Sequence, residues 1–112
     1  MSQPCSDTGD RITPVLDLRL GLRVQAIRVD YAPGGHTPGT HRHPPGAYVY
    51  VIDGADSMGL ENEPPRVLHA GDTFYEPPGA LHSVSSNASQ TQPVCLVAFL
   101  VVAAGQQAAV AG

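Results

Sequence analysis

A chain of 112 residues has room for one hydrophobic core and none for a second. Six Lys plus Arg, all of them arginine and scattered, stand against ten Asp plus Glu, and the net charge of −4 excludes the basic patch of a nucleic-acid binder. The longest apolar run, residues 94–104, is about half of what a membrane span needs, and the first five residues have neither a basic nor an apolar signal region. No nucleic-acid or membrane partner is therefore expected, and the chain reads as cytoplasmic, although a removed signal peptide would leave no trace.

Twelve glycines and eleven prolines lie between short apolar runs and read as turn punctuation, and no stretch carries a helical period. Residues 1–10 are polar and form a predicted flexible leader; residues 11–104 make one domain. A first strand spans 12–20 and a second 22–31. In the second, Leu22, Val24 and Ala26 share one parity and Ile27, Val29 and Tyr31 the other, which predicts a bulge near Ala26 or a strand covered on both faces. Residues 32–40 are a Pro- and Gly-rich loop. In 47–52, Ala47, Val49 and Val51 alternate with Tyr48, Tyr50 and Ile52, and the small residues are expected to face inward, leaving room for a ligand. Strands 55–60, 66–70, 73–76 and 81–86 follow, with Glu61 and Glu63 at a solvated turn. The run 94–102 is almost continuously apolar, which predicts burial on both faces and a second subunit against one of them; 105–112 is a predicted flexible tail. Short strands with turn signals every eight to twelve residues make an all-β sandwich or barrel.

The chemistry is concentrated in His41-Arg42-His43, at the mouth of the strand that begins at Ala47. Two histidines one residue apart on an extended chain point to the same side about 6.7 Å apart along the strand, a geometry that suits two ligands of one metal ion. About forty residues on, after Gly71-Asp72 and Pro77-Pro78-Gly79, His82 supplies a third imidazole. These two stretches resemble the paired motifs of the cupin superfamily. Gly35, His41, His43 and Gly54 fit the first motif, and Gly71, Pro77, Gly79 and His82 fit the second. Two positions depart: Ala47 stands where the family's metal-binding glutamate falls, and Ser86 where its asparagine falls, with Asn87 one residue late. The resemblance covers about residues 12–102. It implies an all-β double-stranded β-helix, or jelly-roll barrel, in a single domain, and one divalent transition metal per chain (Fe, Mn, Ni, Co, Cu or Zn) on His41, His43 and His82. Imidazole donors do not select among these metals.

The carboxylate missing at Ala47 is expected from Glu76. Phe74 and Glu76 share a parity, so Glu76 enters the barrel and needs a proton or a cation, the metal being nearest; it is read as a ligand or as a general base. The alternative is an inward Tyr75 with Glu76 on the rim. Tyr48 is read as outward packing, or as a catalytic proton donor if Pro44-Pro45 bulges. Arg42 points away from the metal, His36 lies in the loop before the site, and His69 is a surface residue. Cys95 reads as a small buried hydrophobe and Cys5 as a bystander, without a disulfide between them. Two functions of different class follow: a metal-dependent enzyme, of dioxygenase, lyase or isomerase type, acting on a small oxygen-chelating organic molecule, and a non-catalytic module that binds or senses metal or a small molecule. A homodimer is expected from the apolar run 94–102 and the outward Tyr48, Tyr50 and Ile52.

Overall fold

A computed structural model describes residues 11–18 and 21–112, so the leader, Cys5 and the end of the first predicted strand lie outside the described residues. Among the described residues, ten strands form two five-stranded antiparallel sheets. The first runs β1 (Arg11–Leu18), β2 (Leu22–Tyr31), β9 (Val94–Ala103), β4 (Ala47–Asp53), β7 (Thr73–Glu76); the second runs β10 (Val110–Ala111), β3 (His41–Arg42), β8 (Leu81–Asn87), β5 (Ala55–Leu60), β6 (Arg66–His69). Among the described residues there is no α-helix, as the absence of any helical period required.

One core joins the sheets. Ala47, Val49 and Val51 of β4 are buried, whereas Tyr48, Tyr50 and Ile52 on the opposite parity are exposed, so the small-inward expectation holds. From β9 the inner parity supplies Leu96, Ala98, Leu100 and Val102, and Met58 of β5, Leu68 of β6 and Phe74 of β7 close the cluster. Phe99 and Val101, on the outer parity of β9, remain exposed in the single chain. The continuous apolar run thus reflects a strand central to its sheet, with one face in the core and one open.

The parity switch in β2 does not produce a bulge. Its register against β9 runs unbroken from Leu22↔Ala103 to Tyr31↔Val94, and nearly all of β2 is half-buried on both faces, because it lies between β1 and β9. The irregularity falls instead in β1 between Pro14 and Leu16. Proline lacks the N–H for a ladder bond and is tolerated there because β1 is an edge strand.

Two readings are corrected. Residues 105–112 are not a loose tail: Val110 and Ala111 pair with Arg42 and His41, and the Thr40 hydroxyl donates to the Gly112 carbonyl at 3.2 Å. Polar bonding of the tail's backbone, rather than a hydrophobic period, holds it down, and composition does not show that. Cys95, fully buried on β9, is disulfide-bonded rather than reduced, and no described cysteine is free.

Candidate metal centre

Two Pro-Pro-Gly turns set the site. Both Gly46 and Gly79 donate their backbone N–H to the His43 carbonyl, at 2.8 and 3.0 Å, so Pro44-Pro45-Gly46 and Pro77-Pro78-Gly79 dock on one atom. Gly46 has φ of 81°, and a Cβ there would meet the Glu76 carbonyl oxygen at 2.9 Å; only glycine lets the two turns close this far. The Arg42 guanidinium donates to the Gly79 carbonyl at 2.8 Å, which explains why Arg42 points away from its histidine neighbours.

This packing brings four donors together. His41 of β3 lies directly opposite His82 of β8 in the strand ladder, and Glu76 of β7 lies directly opposite Ala47 of β4. Nε2 of His41 is 3.1 Å from Nε2 of His43 and 3.3 Å from Nδ1 of His82, and His82 Nδ1 is 3.0 Å from Glu76 Oε1. One donor atom from each of His41, His43, Glu76 and His82 falls within 4.8 Å of all the others. Glu76 is 2% exposed, so the inward reading is right and the rim alternative, with Tyr75 inside, is not: Tyr75 is 56% exposed.

Three of the contacts in the donor set fit a shared metal ion. Ligands about 2.0–2.1 Å from one ion, held about 90–109° apart, lie about 2.8–3.4 Å from one another, a range that includes all three. His43 Nδ1–H donates to the Ala108 carbonyl at 2.8 Å, which leaves the Nε2 lone pair facing the site. Glu76 Oε1 is buried and, although close to His82, is not aligned for a hydrogen bond, so it has acceptor capacity that a cation would use. Burial, and next the neighbouring His82 and His43, push the His41 imidazole down to about 4, against the opposing pull of Glu76. A neutral imidazole at pH 7 is the form that binds metal. The Phe74 ring stacks on the His82 imidazole at 6.3 Å between centroids and limits its movement.

The centre opens into a cavity of about 270 Å³ whose wall includes all four donors, with Val49, Met58, Leu96 and Ala98. Tyr48 does not reach it. It is 51% exposed on the outer face, with its ring 6.4 Å from that of Tyr75, because no bulge at Pro44-Pro45 reverses the parity of β4. His36 is exposed and outside the cavity wall, and His69 is on the surface 3.9 Å from Asp72. The sequence did not point to the Ala108 carbonyl or to the hydroxyls of Tyr31, Thr37 and Ser85 along the cavity wall. Period-two parity in β2 did place Tyr31 with Ile27 and Val29, and all three line the cavity.

A cupin-domain family model matches residues 27–102. The chain belongs to the cupin family. Germin-like protein 8-14 from Oryza sativa subsp. japonica is 38% identical over 85 residues, covering 70% of this chain and 39% of that protein. The chain spans about two fifths of the length of the curated relatives it matches. Among solved structures, recombinant oxalate oxidase in complex with glycolate superposes with a TM-score of 0.65 at 23% identity, over 99% of this cupin and 62% of that chain. A cupin-like protein from Thermotoga maritima MSB8 superposes with a TM-score of 0.63 at 22% identity, over 81% of this chain and 65% of that one. These likenesses show the double-stranded β-helix fold.

Proposed function

We propose that this cupin is a metal-dependent enzyme acting on a small organic molecule that chelates the metal through oxygen. The observation that carries the reading is the convergence of four buried or half-buried donors, three imidazoles and one carboxylate, on one wall of a cavity otherwise lined largely by apolar residues. A divalent transition metal bound there supplies Lewis-acid polarisation of a substrate oxygen. The chain's own residues do the rest. His43, fixed by Ala108, and His82, backed by Phe74, hold their rings in place; Glu76 would supply a negative charge that offsets part of the charge of a bound cation. The aliphatic part of the wall lowers the local polarity beside the donors, which strengthens charge interactions there.

The test has two stages. Purified protein is expected to contain or take up one divalent transition metal per chain by elemental analysis, and a thermal-shift series with Fe, Mn, Ni, Co, Cu and Zn should show stabilisation. The loaded protein is then screened against small hydroxy acids, keto acids and enols with an oxygen electrode and product detection. Metal uptake with no turnover would leave a binding module in place of an enzyme; no metal uptake would remove both.

We propose in addition that the chain pairs with a second copy through the outer face of the first sheet, where Tyr48, Tyr50, Tyr75, Phe99 and Val101 expose a contiguous apolar surface.

A further inference from the structure

The cavity has a second polar feature, apart from the four donors. The Tyr31 hydroxyl bonds the hydroxyl of Thr37 and, at 2.9 Å, that of Ser85, and all three residues line the same cavity as His41, His43, Glu76 and His82. They come from β2, the loop before β3, and β8, so the triad exists only in the folded chain. Among the described residues, the rest of the wall is mainly aliphatic and contains neither arginine nor lysine.

Tyr31 sits between the other two hydroxyls, and whichever way the two bonds run, Thr37 and Ser85 keep lone pairs able to accept from a ligand. The triad is therefore a neutral, acceptor-bearing site, and it is suited to a hydroxyl. It is unsuited to a second carboxylate, whose oxygens would face these lone pairs with no arginine or lysine beside them among the described wall residues. Charge at the other end sets the complement. A divalent ion offset by the Glu76 carboxylate leaves one positive charge, which one negative charge on the ligand neutralises.

Building on the metal-centre reading above, we propose that Tyr31, Thr37 and Ser85 are specificity-determining residues that select a short monocarboxylate bearing a metal-chelating 2-oxygen and a terminal hydroxyl, and that discriminate against dicarboxylates. The cavity, at about 270 Å³, holds molecules of three or four carbons of this class.

The test uses protein loaded with Co(II), its binding followed by calorimetry and by the visible Co(II) spectrum. The probes are two series that keep the chelating end and change only the far end: glycerate, lactate and tartronate with three carbons, and 2,4-dihydroxybutyrate, 2-hydroxybutyrate and malate with four. In at least one series the hydroxyl-terminated acid is expected to bind about three- to tenfold more tightly than its methyl-terminated analogue, the worth of one hydrogen bond, and more tightly than the dicarboxylate. Tyr31→Phe and Ser85→Ala should each erase that preference while leaving the Co(II) affinity unchanged. No preference in either series, a preference for the dicarboxylate, or a preference that survives in both variants would overturn the proposal while leaving the metal centre standing. Failure to bind Co(II) would overturn the metal-centre reading and this inference with it.

Discussion

At the scale of single residues, the exchange between Ala47 and Glu76 is the most informative feature. The two lie directly opposite in the β4–β7 ladder and face the same interior, so their Cβ atoms are about 4.5–5.5 Å apart. A carboxylate moved from one strand to its neighbour still reaches the histidines, and the alanine methyl leaves the volume it needs. Glu76→Gln, which keeps the shape and removes the charge, is expected to weaken metal binding at least about tenfold in a competition assay. The double variant Glu76→Ala, Ala47→Glu returns the carboxylate to the other strand and should recover most of that affinity; no recovery would show that position 76 alone is competent. A second residue carries a pH signature. Asp56 is fully buried on β5 with both carboxylate oxygens lacking a hydrogen-bond partner, and burial pushes its carboxyl up to about 7. In the unfolded chain it titrates near 3.8. Between those values the native state holds the proton that the unfolded state has released, so this contribution to stability is complete below about pH 4 and is lost as pH rises through about 7. Urea denaturation of metal-free protein at pH 5 and pH 8 should show the loss, and Asp56→Asn should flatten it. His41 runs the other way, since its lowered pKa makes stability fall on acidification from about 6.5 to about 4.

At the scale of elements, the tail changes the meaning of the site. β10 covers β3 on the side opposite β8, so His41 is flanked in the ladder by Ala111 and His82, and the Ala108 carbonyl fixes the tautomer of His43. Deleting residues 106–112 is expected to leave the core intact, since its buried cluster lies in β4, β5, β6, β7 and β9. Metal affinity should nevertheless fall about 10–100-fold, the usual cost of losing an outer partner of a ligating histidine. Calorimetric titration with Co(II), beside a circular-dichroism melt of the metal-free proteins, separates the two effects. A truncated protein with full affinity would show that β10 is packing alone.

At the scale of the whole molecule, the proposed pairing of two copies rests on the outer face of the first sheet. Tyr48 lies opposite both Tyr75 and Phe99 in the ladders, so the exposed aromatics form one patch across β7, β4 and β9. Light scattering at tens of micromolar is expected to report a dimer. Phe99→Glu, placing a charge in the middle of the patch, should yield a monomer with unchanged metal content, because Phe99 faces away from the cavity. A monomeric parent chain would refute the pairing.

Much of this molecule is written locally. Period-two alternation fixed which residues of β4 and β7 face inward, turn residues bounded most strands to within two positions, and the spacing of His41, His43 and His82 marked imidazoles that come together, because pleat and turn chemistry act over a few residues. Parity alone also sent Glu76 into the interior. Contacts between distant segments were not legible in this way. The pairing of β10 with β3, the bond from His43 to Ala108 and the contact of Tyr31 with Ser85 in the hydroxyl triad all join residues far apart in the chain. Many arrangements of the same strands are compatible with one pattern of alternation. Only the packed sheets, by satisfying the backbone groups of each edge and burying one common face, select the arrangement in which these partners meet.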